Sequence, residues 1–139
     1  MYKKAIRPAW AEINLTNLDY NIKRIREKVG PDREIIGVIK ADAYGHGSIM
    51  CAKVLRENGV KTFAVATLQE AVTLRKAGTK EDIIMLGLTP DLYADVIAEY
   101  DITPVVCDSA NAKAISDAAE KMGKTVSGLI AIDTGMGRI

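Results

Sequence analysis

Short apolar runs alternate with helix-patterned segments from residue 35 onward, and that recurrence constrains this chain more than any other feature. The apolar runs are Ile35–Ile39, Thr62–Ala66, Asp82–Leu86, Thr103–Cys107 and Val126–Ile132. They begin about 20 to 28 residues apart, enough for a strand plus a returning helix. Strands joined this way run parallel, because the crossover is right-handed and carries the chain back to the starting edge. The runs lack polar alternation, which suits strands covered on both faces.

The helices announce their own ends. Thr16 and Asp19 form a capping-box pattern ahead of an apolar stripe of Leu18, Ile22, Ile25 and Val29, and Gly30-Pro31 stops that helix. A second helix runs from Ser48 to Glu57 and ends at Gly59. Thr67 and Glu70 make another capping box, closed by Gly78. Thr89 reads as a cap with Pro90 at the first helical position, opening a helix to about Tyr100. Asp108 or Ser109 caps the last helix and Gly123 closes it. The pattern predicts an α/β fold of about five parallel strands in one domain over residues 1–139. Periodicity alone leaves open a barrel or a doubly wound sheet. No Gly-x-Gly-x-x-Gly opens the first helix, which weighs against dinucleotide binding.

Composition closes off several classes. Hydrophobic residues make up 48% of the chain but aromatics only 5%, so aliphatic side chains fill the core. Nineteen basic residues against eighteen acidic ones leave a net charge of +1, with no basic block to meet nucleic acid. Met1 to Trp10 lacks the apolar core of a signal peptide, and no apolar run reaches membrane-spanning length. Cys51 and Cys107 have no metal-ligand spacing; both read as free thiols of a reducing cytoplasm, Cys107 as core filler.

Chemistry concentrates around Lys40, which follows the first apolar run in the string Val38-Ile39-Lys40-Ala41-Asp42-Ala43-Tyr44-Gly45-His46-Gly47. The carboxyl end of a buried parallel strand is where α/β folds place their reactive groups. Partial desolvation there favours a neutral, nucleophilic amine, whereas a solvated lysine at a strand end is the plainer alternative. Two further strings stand out: Trp10-Ala11-Glu12-Ile13 with Leu18-Asp19-Tyr20-Asn21, and Asp133-Thr134-Gly135-Met136-Gly137-Arg138.

The three strings, in this order, resemble motifs of the alanine racemases, and together they span nearly the whole chain. The resemblance implies a (β/α)8 barrel followed by a β-domain. A full barrel needs about 250 residues. The expectation is therefore a partial TIM barrel from the amino-terminal part of a longer enzyme, without the C-terminal β-domain, whose open edges promote self-association. The resemblance further implies pyridoxal 5'-phosphate carried by Lys40, which serves the D-enantiomer as acid or base. Tyr44 would bond the cofactor phosphate. Arg138 would lie near the cofactor's phenolic oxygen and the substrate carboxylate. The parent would be a cytoplasmic homodimer interconverting L- and D-alanine for peptidoglycan, its second base a tyrosine from the partner subunit's C-terminal domain.

Around these, Asp42 and His46 read as braces of the loop, Asp133 as support for a turn, and Met136 as a packing residue. One position departs from the pattern. Many alanine racemases carry a lysine, often carbamylated, seven residues before the arginine, and here that position is Ala131. Alternatives are a racemase acting on serine or on several amino acids, or a non-catalytic barrel protein that binds the same cofactor. Basic amino-acid decarboxylases share the barrel and the lysine, but the full string around Lys40 points away from them.

Overall fold

The computed structural model describes residues 9–138; Met1–Pro8 of the amino-terminal reading and Ile139 lie outside the described residues. The elements follow the predicted alternation: α1 (Leu15–Val29), β1 (Ile36–Val38), a short turn α2 (Lys40–Tyr44), α3 (Ser48–Glu57), β2 (Thr62–Val65), α4 (Leu68–Lys76), β3 (Asp82–Met85), α5 (Ala94–Glu99), β4 (Val105–Val106), α6 (Ser109–Lys121) and β5 (Leu129–Ile130). All pairings are parallel. β1–β2–β3 form one sheet and β4–β5 another. A parallel bridge between Ile84 and Thr103 joins the two, tightened by Met85 N–H donating to Thr103 O at 2.9 Å and Thr103 N–H to Ile83 O at 2.9 Å. The strand order thus follows the chain order with no reversal. A doubly wound sheet needs a reversal at its switch point, so this is the wall of a singly wound, barrel-type sheet. Closure into a full barrel is not part of the described chain.

The core lies between the sheet and its helices. Gly37, Phe63 and Ile83 are in register across three strands, so all three face the same side. Phe63 and Ile83 are fully buried there, with Leu74 of α4 and Ile97 of α5. Gly37 has a specific reason to be glycine. A Cβ there would stand 3.0 Å from Leu55 Cδ1 and 3.0 Å from Phe63 Cδ1, so its absence lets α3 close onto β1. The opposite sheet face is open at its margin. Ile36 and Val38 of β1 are 48% and 44% exposed there, while Ile130 of β5, in register with Val106 on the helix-facing side, is 82% exposed at the other edge. The expectation of strands covered on both faces therefore holds for β2 and fails for β1 and β5.

Several boundaries differ from the sequence reading. Asn14, not Thr16, caps α1, its side chain accepting the Asn17 amide. Pro90 does not start a helix. Its φ of −58° with ψ of 144° is extended, and a three-residue 3-10 turn (Asp91–Tyr93) precedes a shorter α5. Thr89 lies buried with its hydroxyl 3.5 Å from the Met85 sulfur. Cys107 is exposed, not core filler, because it follows β4 at the strand end, whereas Cys51 is buried in α3. The Thr67–Glu70 capping box and the Asp108 cap form as read.

The rim at the amino ends of the strands is tied by one arginine. Arg75 Nε donates to Tyr100 O, Nη1 to Thr79 O and Glu81 O, and Nη2 to Asp101 O, at 2.7–2.9 Å. A planar guanidinium satisfies four loop carbonyls at once, which a lysine cannot do. Among the described residues no helix is long and apolar enough to cross a membrane.

Gly37→Ala should lower stability by about 1–3 kcal/mol, the usual cost of overpacking. A urea midpoint indistinguishable from the parent's would show that Leu55 and Phe63 have room to give.

Candidate functional site

β1 ends on a lock: Ile39 N–H donates to Ala64 O at 2.9 Å, and Ile39 is buried. The next residue, Lys40, is half-buried at the carboxyl end of the strand. The chain then does something its composition does not announce. Ala41, Asp42, Ala43 and Tyr44 have φ of 50°, 52°, 54° and 56°, four successive non-glycine residues in the left-handed region. Left-handed backbone costs about 1–2 kcal/mol per non-glycine residue, so such a run persists only where its surroundings hold it.

The holding bonds are explicit. Ala43 N–H donates to Ile39 O at 2.9 Å, Gly45 N–H to Ala41 O at 3.1 Å, and Gly47 N–H to Asp42 O at 2.9 Å. His46 Nδ1 lies 2.9 Å from Ala43 O. Asp42 Oδ1 accepts the Ser48 amide at 2.7 Å and the Ser48 hydroxyl at 2.9 Å, supplying the cap that Gly47, at the start of α3, has no side chain to give. These Ser48 bonds, the backbone one foremost, hold the Asp42 carboxyl below the ordinary carboxylate range. Both Asp42 and His46 are thus braces, as the sequence suggested. The sequence reading missed the role of Glu70: besides closing the capping box on α4, it accepts the Ala41 amide at 2.9 Å through Oε1. Only the capping pattern hinted at it.

The left-handed run turns Tyr44 back over Lys40, placing Lys40 Nζ 6.0 Å from the Tyr44 ring centroid. Tyr44 is 61% exposed, its ring on the open rim. Lys40 takes part in none of the ion pairs of the described residues. A half-buried ammonium with an aromatic neighbour and no carboxylate partner is chemically available.

Arg138 follows β5 at the same, carboxyl-end rim of the parallel strands. It lines a cleft of ≈ 310 Å³ with Leu86, Val105, Ala131, Asp133 and Met136, separate from the contacts of Lys40 and Tyr44. Asp133 Oδ1 accepts the amides of Gly135 at 2.9 Å and Gly137 at 3.0 Å, which supports the turn leading to Arg138. These bonds, Gly137 first, hold the Asp133 carboxyl low. Met136 is 71% exposed, so the expectation that it packs is corrected: it stands at the open rim of this cleft. No cluster of three or more metal-ligating side chains occurs among the described residues.

A family model described as "Alanine racemase, N-terminal domain" matches residues 13–139. An alanine racemase of Clostridium kluyveri is 52% identical over 139 residues, all of this chain and 35% of the relative. The solved alanine racemase of Clostridium difficile 630 superposes with a TM-score of 0.93 at 40% identity, covering 98% of this chain and 36% of that one. A histidine racemase from Leuconostoc mesenteroides subsp. sake superposes with a TM-score of 0.86 at 34% identity, covering 100% and 37%. The chain thus spans about a third of the length of the relatives it matches.

Asp42 gives a pH signature. Its carboxyl is depressed in the folded state, so the stability it lends is present above the unfolded value of about 3.9 and is lost as pH falls through the lower folded value. The Ser48 amide resonance should titrate with a midpoint below that of an exposed aspartate, and Asp42→Ala should erase the transition. An ordinary midpoint at Ser48 would contradict the capping role.

Proposed function

The chain belongs to the alanine racemase N-terminal domain family, and on that premise we propose that it is the lysine-bearing amino-terminal part of a pyridoxal-phosphate-dependent alanine racemase. The supporting observation is Lys40 itself: half-buried at the end of β1, without a carboxylate partner among the described residues, and faced by Tyr44. Its neighbouring acid, Asp42, is engaged with Ser48 and does not compete for the ammonium. That donor set suits an anionic aldehyde cofactor.

Lys40 is the residue that would hold pyridoxal phosphate, with the Tyr44 hydroxyl on its phosphate and Arg138 toward its phenolic oxygen and the substrate carboxylate. Bound there, the cofactor supplies an electron sink that acidifies the α-proton of an amino acid. Lys40 Nζ holds or returns that proton on one face. The left-handed turn keeps the amine near the Tyr44 ring, and the guanidinium of Arg138 presents a planar pair of donors to a carboxylate. Ala131 provides no carbamate to hold Arg138; within this chain Asp133 braces the turn that leads to it.

In the whole protein this part would serve a cytoplasmic homodimer interconverting L- and D-alanine, with D-alanine destined for peptidoglycan. The partner subunit would supply the opposite base. Taken alone, the chain would be a poor racemase and would self-associate through its two exposed edge strands, at Ile36 and Val38 of β1 and at Ile130 of β5. A monomer at every concentration in sedimentation would remove that last element. A racemase of another amino acid is the second reading. It is favoured by the histidine racemase likeness, because one backbone of this kind accompanies both named substrates.

Pyridoxal phosphate followed by borohydride should leave a pyridoxyl group on Lys40, located by peptide mass, and Lys40→Ala should take up none there. D-alanine formation by this chain should stay at background. Equal labelling of Lys40→Ala, or turnover at ordinary enzyme rates, would contradict the proposal.

A further inference from the structure

Glu70 is half-buried near the start of α4, and both of its carboxylate oxygens are used. Oε2 accepts the amides of Ala66 at 2.9 Å and Thr67 at 3.3 Å, the usual capping-box task. Oε1 does something a cap does not require. It reaches from the first turn of α4 to the turn after β1 and accepts the amide of Ala41 at 2.9 Å. Ala41 directly follows Lys40 and is the first of the four left-handed residues. Its amide lies at the start of the turn, where no preceding turn supplies a carbonyl, so Glu70 gives it the partner that a helix start otherwise lacks.

We propose that Glu70 is a positioning residue for the Lys40 site. Its carboxylate fixes the first peptide of the left-handed run, and thereby sets where Lys40 Nζ and the Tyr44 ring stand relative to each other. Two strand-end loops are locked by one side chain: the same group that starts α4 aims the lysine. The geometry of the lock stands on its own, and its consequence for cofactor binding rests on the proposed role of Lys40.

Glu70→Gln separates aiming from capping. Glutamine serves at this position of a capping box, so its oxygen can keep the Ala66 and Thr67 amides. Its other terminal atom is then an NH2 donor facing the Ala41 N–H, and donor meets donor. Measured on the chain, α4 amide protection should therefore match the parent's in Glu70→Gln. Exchange of the Ala41 amide should quicken about tenfold, the size expected for losing one hydrogen bond to a charged group. The dissociation constant for pyridoxal phosphate, read by absorbance, should rise by a similar factor. Glu70→Ala should lose both the α4 protection and the Ala41 protection.

Unchanged Ala41 exchange in Glu70→Gln would overturn the lock. Faster exchange with unaltered cofactor affinity would overturn its role in aiming Lys40. If the parent chain takes up no cofactor, the reading of Lys40 fails while the exchange result still decides the lock. Should Glu70→Gln fail to fold, Glu70→Asp keeps the charge but is one methylene shorter. Fast Ala41 exchange with α4 intact then supports the lock, and slow exchange overturns it.

Discussion

The site depends on four residues held against their preference. Ala41 to Tyr44 adopt left-handed backbone without a glycine among them. At about 1–2 kcal/mol each, the run would unwind in isolation. It survives because its ends are fixed before it begins and after it stops. Ile39 is locked onto β2 through Ala64, and Gly45 and Gly47 take the positive φ that closes the turn. Asp42 fastens the turn to α3 through Ser48, and Glu70 fastens its first amide. A right-handed turn of the same length would send Tyr44 in another direction and leave Lys40 without its neighbour.

The rest of the molecule divides its labour between two rims. At the amino ends of the strands, Arg75 binds four loop carbonyls, and Lys124 reaches Ala98 O at 3.0 Å and Glu99 O at 2.8 Å. Those contacts spend four of the five guanidinium donors and two of the three ammonium donors on backbone carbonyls. At the carboxyl ends the order is reversed. Lys40 and Arg138 take part in none of the ion pairs of the described residues, Tyr44 stands over Lys40, and Arg138 lines a cleft with Leu86, Val105 and Met136. Barrel-type sheets in general keep stabilising contacts at the amino-end rim and functional groups at the carboxyl-end rim.

Much of the fold was legible because the signals were local. The apolar runs, the Thr67–Glu70 box, the Asp108 cap and the closing glycines at 30, 78 and 123 each depend on neighbours within a few residues. The order of the strands was not legible, since a period of strand plus helix is the same in a barrel and in a doubly wound sheet. β5 shrank from seven predicted residues to Leu129–Ile130 because it pairs on one side only. Pro90 misled because a threonine–proline pair also suits extended chain. At the site, Lys40 and Tyr44 stood out by sequence, but their closeness did not. Alanines normally favour right-handed helix, so nothing in Ala41-Asp42-Ala43 signals the opposite hand. Part of what holds the run comes from a distance: Glu70 of α4 accepts the Ala41 amide.

Crystals of the chain grown with pyridoxal phosphate and reduced before data collection would test this most directly. The expected map shows Ala41 to Tyr44 at positive φ, with density continuous from Lys40 Nζ into the pyridoxyl ring. A right-handed turn after Lys40, or a pyridoxyl group on a different lysine, would contradict it.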